Sequence, residues 1–249
     1  MHTVFASAGL VAVTLTTSLS LTACSLTPSQ TVQKVNKSVT TDASSFTVAI
    51  SAGRLVVVAG VPGMVSLRGT VTYKGAQAPM LLWQSSGTSL ALRSVCHSVH
   101  NDCSYEYTLA LPSVMGIAAS NAAGDVSVAD LNGPVQVSAS AGNVSLAGLS
   151  GRVTLTDNAG NVTAQAIKGD VADVTIGAGN ATLGYVTPPS HLFVQDSTGN
   201  IAATVPNSSS YHVVTNIRTG SSLNDVPDDT SSLNTISLSV EIGNVSLHY

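Results

Sequence analysis

The chain has 249 residues, 44% of them apolar and only 9% charged, with nine Lys and Arg against 13 Asp and Glu for a formal net charge of −4. So few cations exclude the basic stripe that nucleic-acid binding requires. The high apolar fraction, set in alternation with polar residues, excludes a disordered chain.

In chain order, the first expected element is an export signal over 1–23. Val4 to Leu21 is mostly apolar and uncharged, and it ends on Leu21-Thr22-Ala23-Cys24. That tetrapeptide resembles the bacterial lipobox, whose cysteine becomes the lipidated first residue of the mature protein. The segment lacks a Lys or Arg after Met1 and is diluted with Thr and Ser, which suits a cleaved signal better than a permanent span. The resemblance implies a lipid on Cys24 and an extracytoplasmic protein held to the cell membrane; the alternative is ordinary cleavage and secretion. Residues 24–45 are polar with no hydrophobic rhythm and read as a flexible tether.

From Phe46 the pattern turns to short strands rich in β-branched residues and bounded by turn formers: Phe46–Ile50, Leu55–Val58, Met64–Leu67 and Thr70–Tyr73. Met80–Trp83, Ser89–Leu92 and Tyr105–Leu111 follow less regularly, so 46–112 is an irregular β region. No window carries a sustained 3.6-residue rhythm. Trp83, Tyr73, Tyr105 and Tyr107 gather here, either as core filling or as a stacking patch for sugar or peptide.

Residues 113–249 are dominated by a repeat. Gly124-Asp125, Gly142-Asn143, Gly160-Asn161, Gly179-Asn180, Gly199-Asn200 and Gly243-Asn244 each precede a small aliphatic residue. The first four intervals are 18, 18, 19 and 20 residues, with Gly133, Gly151 and Gly169 at half-steps. A period of this length predicts stacked supersecondary units. The expected fold is all-β: a single-stranded β-solenoid, β-helix-like, with about 18–20 residues per coil. Alternation assigns Val126 and Val128, Val144 and Leu146, Val162 and Ala164, Ala181 and Leu183, Ile201 and Ala203, and Val245 and Leu247 to one inward ladder. Val135 with Val137 and Val153 with Leu155 face them. Glycines turn the corners, and the following Asn or Asp side chains bond locally or as a ladder. Asp173 falls where an inward residue is due, which predicts a bulge. Ser221 to Asp229 reads as a polar insertion, and the last coil, ending at Tyr249, as an uncapped open edge.

The Tyr107–Pro112 lead-in and the Gly-[Asn/Asp]-Val steps with their Gly-x-Val half-steps resemble the bacterial putative adhesin family, domain of unknown function 4097, over roughly 46–249. The resemblance implies a glycine-punctuated β-solenoid after an irregular β region, exposed in the cell envelope, and brings no catalytic residues.

Candidate chemistry is sparse. Cys96, His97, His100, Asp102 and Cys103 could hold zinc as two thiolates with imidazoles, or the two cysteines could form a disulfide, as expected of an even pair in an exported protein. Asp125, Asp157, Asp170, Asp173 and Asp196 could be searched for a glycosidase pair, but they fall at or near turns where Asp is common. The Gly-Gly-x-Gly-x-Asp calcium repeat and nucleophile motifs are missing from the sequence. Asn143, Asn161, Asn180, Asn207 and Asn244 sit in N-x-[ST] sequons as a by-product of the repeat. The expectation is a non-catalytic protein with no cofactor or metal, presenting its surface to an envelope protein or glycan; the second reading is an envelope stress-sensing or structural module that self-associates through its open terminal coil.

Overall fold

The computed structural model describes residues 30–74, 77–96 and 103–249; the signal segment and Cys24 lie outside the described residues. The described residues form 21 strands and no helix. The strands of the first half are β1 (Gln30–Thr40), β2 (Ser45–Ile50), β3 (Gly53–Gly60), β4 (Met64–Lys74), β5 (Met80–Ser86), β6 (Ser89–Val95), β7 (Cys103–Pro112), β8 (Gly116–Asn121), β9 (Val126–Ala129) and β10 (Val135–Ala139). Those of the second half are β11 (Val144–Ala147), β12 (Val153–Ala159), β13 (Val162–Ile167), β14 (Val171–Ala178), β15 (Ala181–Tyr185), β16 (His191–Thr198), β17 (Ile201–Thr204), β18 (His212–Thr219), β19 (Ser222–Asn224), β20 (Thr235–Ile242) and β21 (Val245–His248).

Two sheets hold them all. One runs β1-β4-β7-β3-β9-β11-β13-β15-β17-β21-β19 and the other β18-β20-β16-β14-β12-β10-β8-β2-β6-β5. From β8 to β17 the chain alternates strand by strand between the two sheets. Each strand lies parallel to the one a full repeat away, as in Val126↔Val144↔Val162↔Ala181↔Ile201. A fixed repeat therefore becomes a fixed register: identical positions stack, and the aliphatic set cannot slip by one without turning outward. Each layer is one strand from each sheet, and nine such layers stack, about 40 Å at the usual strand spacing; eight of them turn at a glycine, and β6–β7 is tied by a disulfide instead.

The inward residues form one core. Val126, Val128, Val144, Leu146, Val162, Leu183, Ile201, Val245 and Leu247 are buried, as are Val135, Val137, Val153 and Leu155 opposite them. Burying a Val or Leu side chain contributes about 1.5–3 kcal/mol against the entropy of ordering the chain. Leu155, 1% exposed, tests this. Leu155→Ala should lower stability by about 2–5 kcal/mol, read as a shift of the denaturant midpoint.

Several expectations need correction. The polar stretch read as a tether over 24–45 is structured from Gln30 onward, since β1 pairs antiparallel with β4 along its whole length. Its inward positions include only Val35 and Val39 as aliphatics, because β1 is an edge strand with solvent on one side. Lysine on such an edge opposes pairing with another chain.

The region 46–112 is not a separate unit either. β2 and β3 pair parallel with β8 and β9, and β6 and β7 pair parallel with β2 and β3, so the stacking continues through it. Only β1, β4 and β5 depart from it, β4 by pairing antiparallel with β1 and β7, and β5 by forming an antiparallel pair with β6.

Asp173 faces outward, between buried Ala172 and Val174, and β14 pairs in unbroken register there. The register shift lies instead between Ala164 and Ile167 in β13, where Ala166 takes φ 53°.

The strand order also departs from chain order at both ends. β2–β3 is inserted between β6–β7 and β8–β9, and β20–β21 between β16–β17 and β18–β19. Val245 is thus paired on both sides, with Ile201 and with Ser222, and β21 is no open edge. The expected polar insertion supplies part of the real end: Ser222–Asn224 is β19. Its inward positions, Ser222 and Asn224, stack on Val245 and Leu247. Polar residues at inward sites suit a terminal layer that meets water.

Candidate interaction surfaces

The predicted repeat turns converge on one corner column. Gly53, Gly124, Gly142, Gly160, Gly179, Gly199, Gly243 and Gly220 lie one above another, and a Cβ built on each from Gly124 onward would overlap the carbonyl oxygen of its neighbour in the column. Gly142 shows both reasons for glycine: φ is 131° and the Gly124 carbonyl fills the space a side chain would need. The half-step glycines Gly133, Gly151 and Gly169 are not in the left-handed region; close backbone approach alone requires them.

Beside the glycines runs a hydrogen-bonded ladder. The backbone N–H and the Nδ2 of Asn143 both donate to Asp125 Oδ1, at 2.9 and 3.2 Å. Asn161 donates in the same way to Asn143, Asn180 to Asn161, Asn200 to Asn180 and Asn244 to Asn200. Ser221 closes the column with its N–H and hydroxyl on Asn244 Oδ1, at 3.1 and 2.7 Å. Every amide points its donors the same way, and the terminal acceptor is the Asp125 carboxylate, where charge strengthens the bond. The sequence located this ladder up to Asn244, though not its closure on Ser221.

The outer faces carry small polar side chains in register. Ser127, Ser145, Thr163 and Thr182 align on the first sheet, and Gln136, Thr154 and Asp173 on the second. An open groove of 400 Å³ on the second sheet is lined by Ser45, Thr47, Gln136, Arg152 and Thr154 among others. At its side Asp173 lies 4.0 Å from Arg152 and 3.7 Å from His191, whose Nδ1 is 2.8 Å from the Thr235 hydroxyl. A second groove of 310 Å³ on the first sheet is lined by Arg54, Thr70, Glu106 and Thr108. Neither groove was legible in the sequence, because each joins residues far apart in the chain.

The five aspartates considered as a hydrolytic pair separate. Asp125 and Asp170 are exposed and Asp173 lies outside, whereas Asp157 and Asp196 face inward, 1% and 0% exposed. These two occupy the same inward row as Asn121, separated by Ile176. Oδ2 of each is buried without a hydrogen-bond partner. Burial, opposed only by one backbone amide (Ala159 or Thr198), raises both carboxyls above their usual range.

The cysteines are joined: Cys96 and Cys103 form a disulfide with their Cα atoms 5.9 Å apart, tying β6 to β7. Zinc bound by the two thiolates is therefore excluded in this state; His97, His100 and Asp102 lie outside the described residues. The aromatic residues are core and cap rather than a free patch. Tyr105 and Tyr107 are buried, and Trp83 packs edge-on to Phe46 with the Lys37 ammonium 4.9 Å above its ring. At the opposite end His212 pairs with Asp228 and His248 with Asp225, at 3.0 and 2.6 Å. The Val213 amide and His212 hold Asp228 below its usual range. Among the described residues no group of His, Cys, Asp and Glu is arranged to hold a metal ion, and no helix is long and apolar enough to cross a membrane.

No family model matches the chain, and no curated protein matches it. Three solved bacterial structures are similar at the level of the fold. A putative adhesin from Bacteroides fragilis is 13% identical with a TM-score of 0.48, covering 88% of this chain and 98% of its own. A putative cell adhesion protein from Clostridium sporogenes is 10% identical with a TM-score of 0.35, covering 89% and 99%. A putative adhesin from Parabacteroides distasonis is 13% identical with a TM-score of 0.31, covering 89% and 98%.

Proposed function

We propose that the protein is a non-catalytic cell-envelope lipoprotein, a β-solenoid of about 18–20 residues per coil that presents its outer faces for adhesion to a glycan or an envelope protein. Cys24 carries the lipid in this reading, and the domain lies outside the cytoplasmic membrane. The observation that carries the proposal is the register of the outer faces. Parallel stacking repeats hydroxyl side chains at strand spacing over a rigid aliphatic core, so a repetitive polymer meets like donors and acceptors over successive layers, as along Ser127, Ser145, Thr163 and Thr182. Such preorganised polar arrays bind without ordering loops, which lowers the entropic cost of recognition. The groove lined by Gln136, Arg152 and Thr154 offers a sugar chain polar contacts on that surface. The names of the similar solved structures agree with this reading.

The test is binding of the mature domain to isolated envelope glycans and envelope protein fractions. The expected result is saturable binding weakened at least about tenfold by the triple change Gln136→Ala, Arg152→Ala, Thr154→Ala, since each lost hydrogen bond contributes about 0.5–1.5 kcal/mol. Failure to bind any envelope fraction would overturn the proposal.

A further inference from the structure

Charge is not spread evenly along the stack. Six of the nine cations, Lys34, Lys37, Arg54, Arg68, Lys74 and Arg93, precede residue 113, against three acids, Asp42, Asp102 and Glu106. From 113 onward the balance reverses, with three cations against ten acids. All six cations are exposed. Because the layers stack nearly in chain order, the molecule is dipolar along its axis. The end bearing β1 and β4 is positive, and the end bearing β18 and β19, with Asp225, Asp228 and Asp229 beside it, is negative.

Four of these cations share one face. On β4, Arg68 and Lys74 alternate with inward Leu67 and Val71, and on β3, Arg54 precedes inward Leu55, so all three lie on the outer side of the first sheet. Lys34 joins them through its pairing opposite Thr70, which in turn pairs with Glu106 beside Arg54. Glu106 is the one acid among them, and none of the four cations forms an ion pair among the described residues. Exposed Val32, 61% accessible, lies between Gln30 and Lys34 on the same face.

The position of this face relative to the chain start is constrained. Gln30 pairs directly with Lys74. Only residues 25–29 separate it from Cys24, and six Cα steps span at most about 20 Å. A lipid on Cys24 would keep Lys74, paired with Gln30, within about 20 Å of the headgroups, so docking has only to bring the face the remaining distance into the ~10 Å range over which charges act in salt.

We propose that the face formed by Lys34, Arg54, Arg68 and Lys74 docks on the anionic lipid headgroups of the membrane in which the protein is anchored. The acidic far end is thereby directed away from the bilayer, toward whatever the outer faces contact. This inference rests on the lipid-anchored reading above. One acyl-anchored residue joined to a basic patch is a two-signal attachment, in which each cation near an anionic surface adds about fivefold to the partitioning.

The test uses the mature chain from residue 24 with Cys24→Ser, so that no lipid contributes. Its cosedimentation is measured with vesicles of phosphatidylcholine alone and with added phosphatidylglycerol, at low and high salt. Binding is expected only to the anionic vesicles, lost at high salt, and reduced about fivefold per cation removed in the series Lys74→Gln, Lys34→Gln, Arg68→Gln and Arg54→Gln. Equal binding to both vesicle types overturns the proposal, as does no binding to either. So does a soluble phosphodiester polymer that binds as tightly and competes the vesicles away. The lipid and salt comparisons use the unsubstituted face, so a misfolded variant leaves the test intact. Fractionating cells that make the full chain, with and without Cys24→Ser, reads the anchor separately. A full chain found soluble in both forms removes the anchor while leaving the vesicle result to stand or fall alone.

Discussion

Gly142→Ala should destabilise the protein by about 2–6 kcal/mol, read directly from the loss of a cooperative unfolding transition near the wild-type midpoint. Two costs add. An L side chain at φ 131° is strained by about 1–3 kcal/mol. The new methyl would also occupy the position of the Gly124 carbonyl oxygen, and forcing atoms into a filled interior costs about 1–3 kcal/mol more. The carbonyl cannot retreat, because Gly124 is itself stacked against Gly53 and its N–H donates to the Ala141 carbonyl at 2.7 Å. Gly184→Ala is the matched comparison. It lies in β15, outside the left-handed region, with only the Ala164 carbonyl 3.8 Å from a built Cβ. That change should be neutral or stabilise slightly, by up to about 1 kcal/mol, through the unfolded chain. Equal losses at both positions would show that stacking at the corner column is not what the glycines serve.

The double change Asp157→Asn, Asp196→Asn should stabilise the protein at neutral pH, by about 1–3 kcal/mol for each orphaned polar atom that gains a partner. Asn121 shows what the amide does at this row: Nδ2 donates to the carbonyls of Gly53 and Gly124, at 2.9 and 3.0 Å, while Oδ1 accepts from the Ala123 N–H. Asp157 and Asp196 sit in the same row beside the equivalent glycine corners, with Oδ2 unpartnered. A carboxylate oxygen there is buried with no donor to hold its charge, so the neutral acid is favoured. The linkage sign follows from the raised carboxyls. A group whose folded pKa exceeds its unfolded value binds its proton more tightly when folded. Its contribution is fully present below the unfolded value of about 3.9 and is lost as pH rises through the folded value. Wild-type stability should therefore fall relative to the double variant as pH rises from the acid range to neutrality, measured as denaturant midpoints across pH. A constant difference at every pH would rule the explanation out.

How far the sequence could be read depended on whether a feature was periodic. The inward pairs from Val126 to Leu247, and the Asn143, Asn161, Asn180 and Asn200 ladder, follow from a repeat whose register is its own length. Features at single positions were harder. Extending one face across β13 puts Asp173 inward, but the shift at Ala166 already absorbs the change of phase. Asp157 and Asp196 lie near turns in the sequence, and nothing there marks their burial, because one row of inward sites ends at the corner, where polar residues are ordinary. β1 and β19 carry no strand signal for a shared reason: strands at the ends of the stack replace aliphatics with Gln, Lys, Ser and Asn, which erases the alternation by which strands are recognised.

By itself the sequence determined an all-β chain with small aliphatics facing each other and glycine corners at a near-constant interval, since the spacing of side chains along a strand is a local property. Only the tertiary structure decided which strands are neighbours. It inserted β2–β3 and β20–β21 inside the stack, made β18 and β19 its end, and gathered Lys34, Arg54, Arg68 and Lys74 on one face. Any aliphatic layer satisfies the one beneath it equally well in pattern, so periodicity cannot rank the pairings. Burial ranks them, because layers with polar inward residues lose least when they are the ones left facing water.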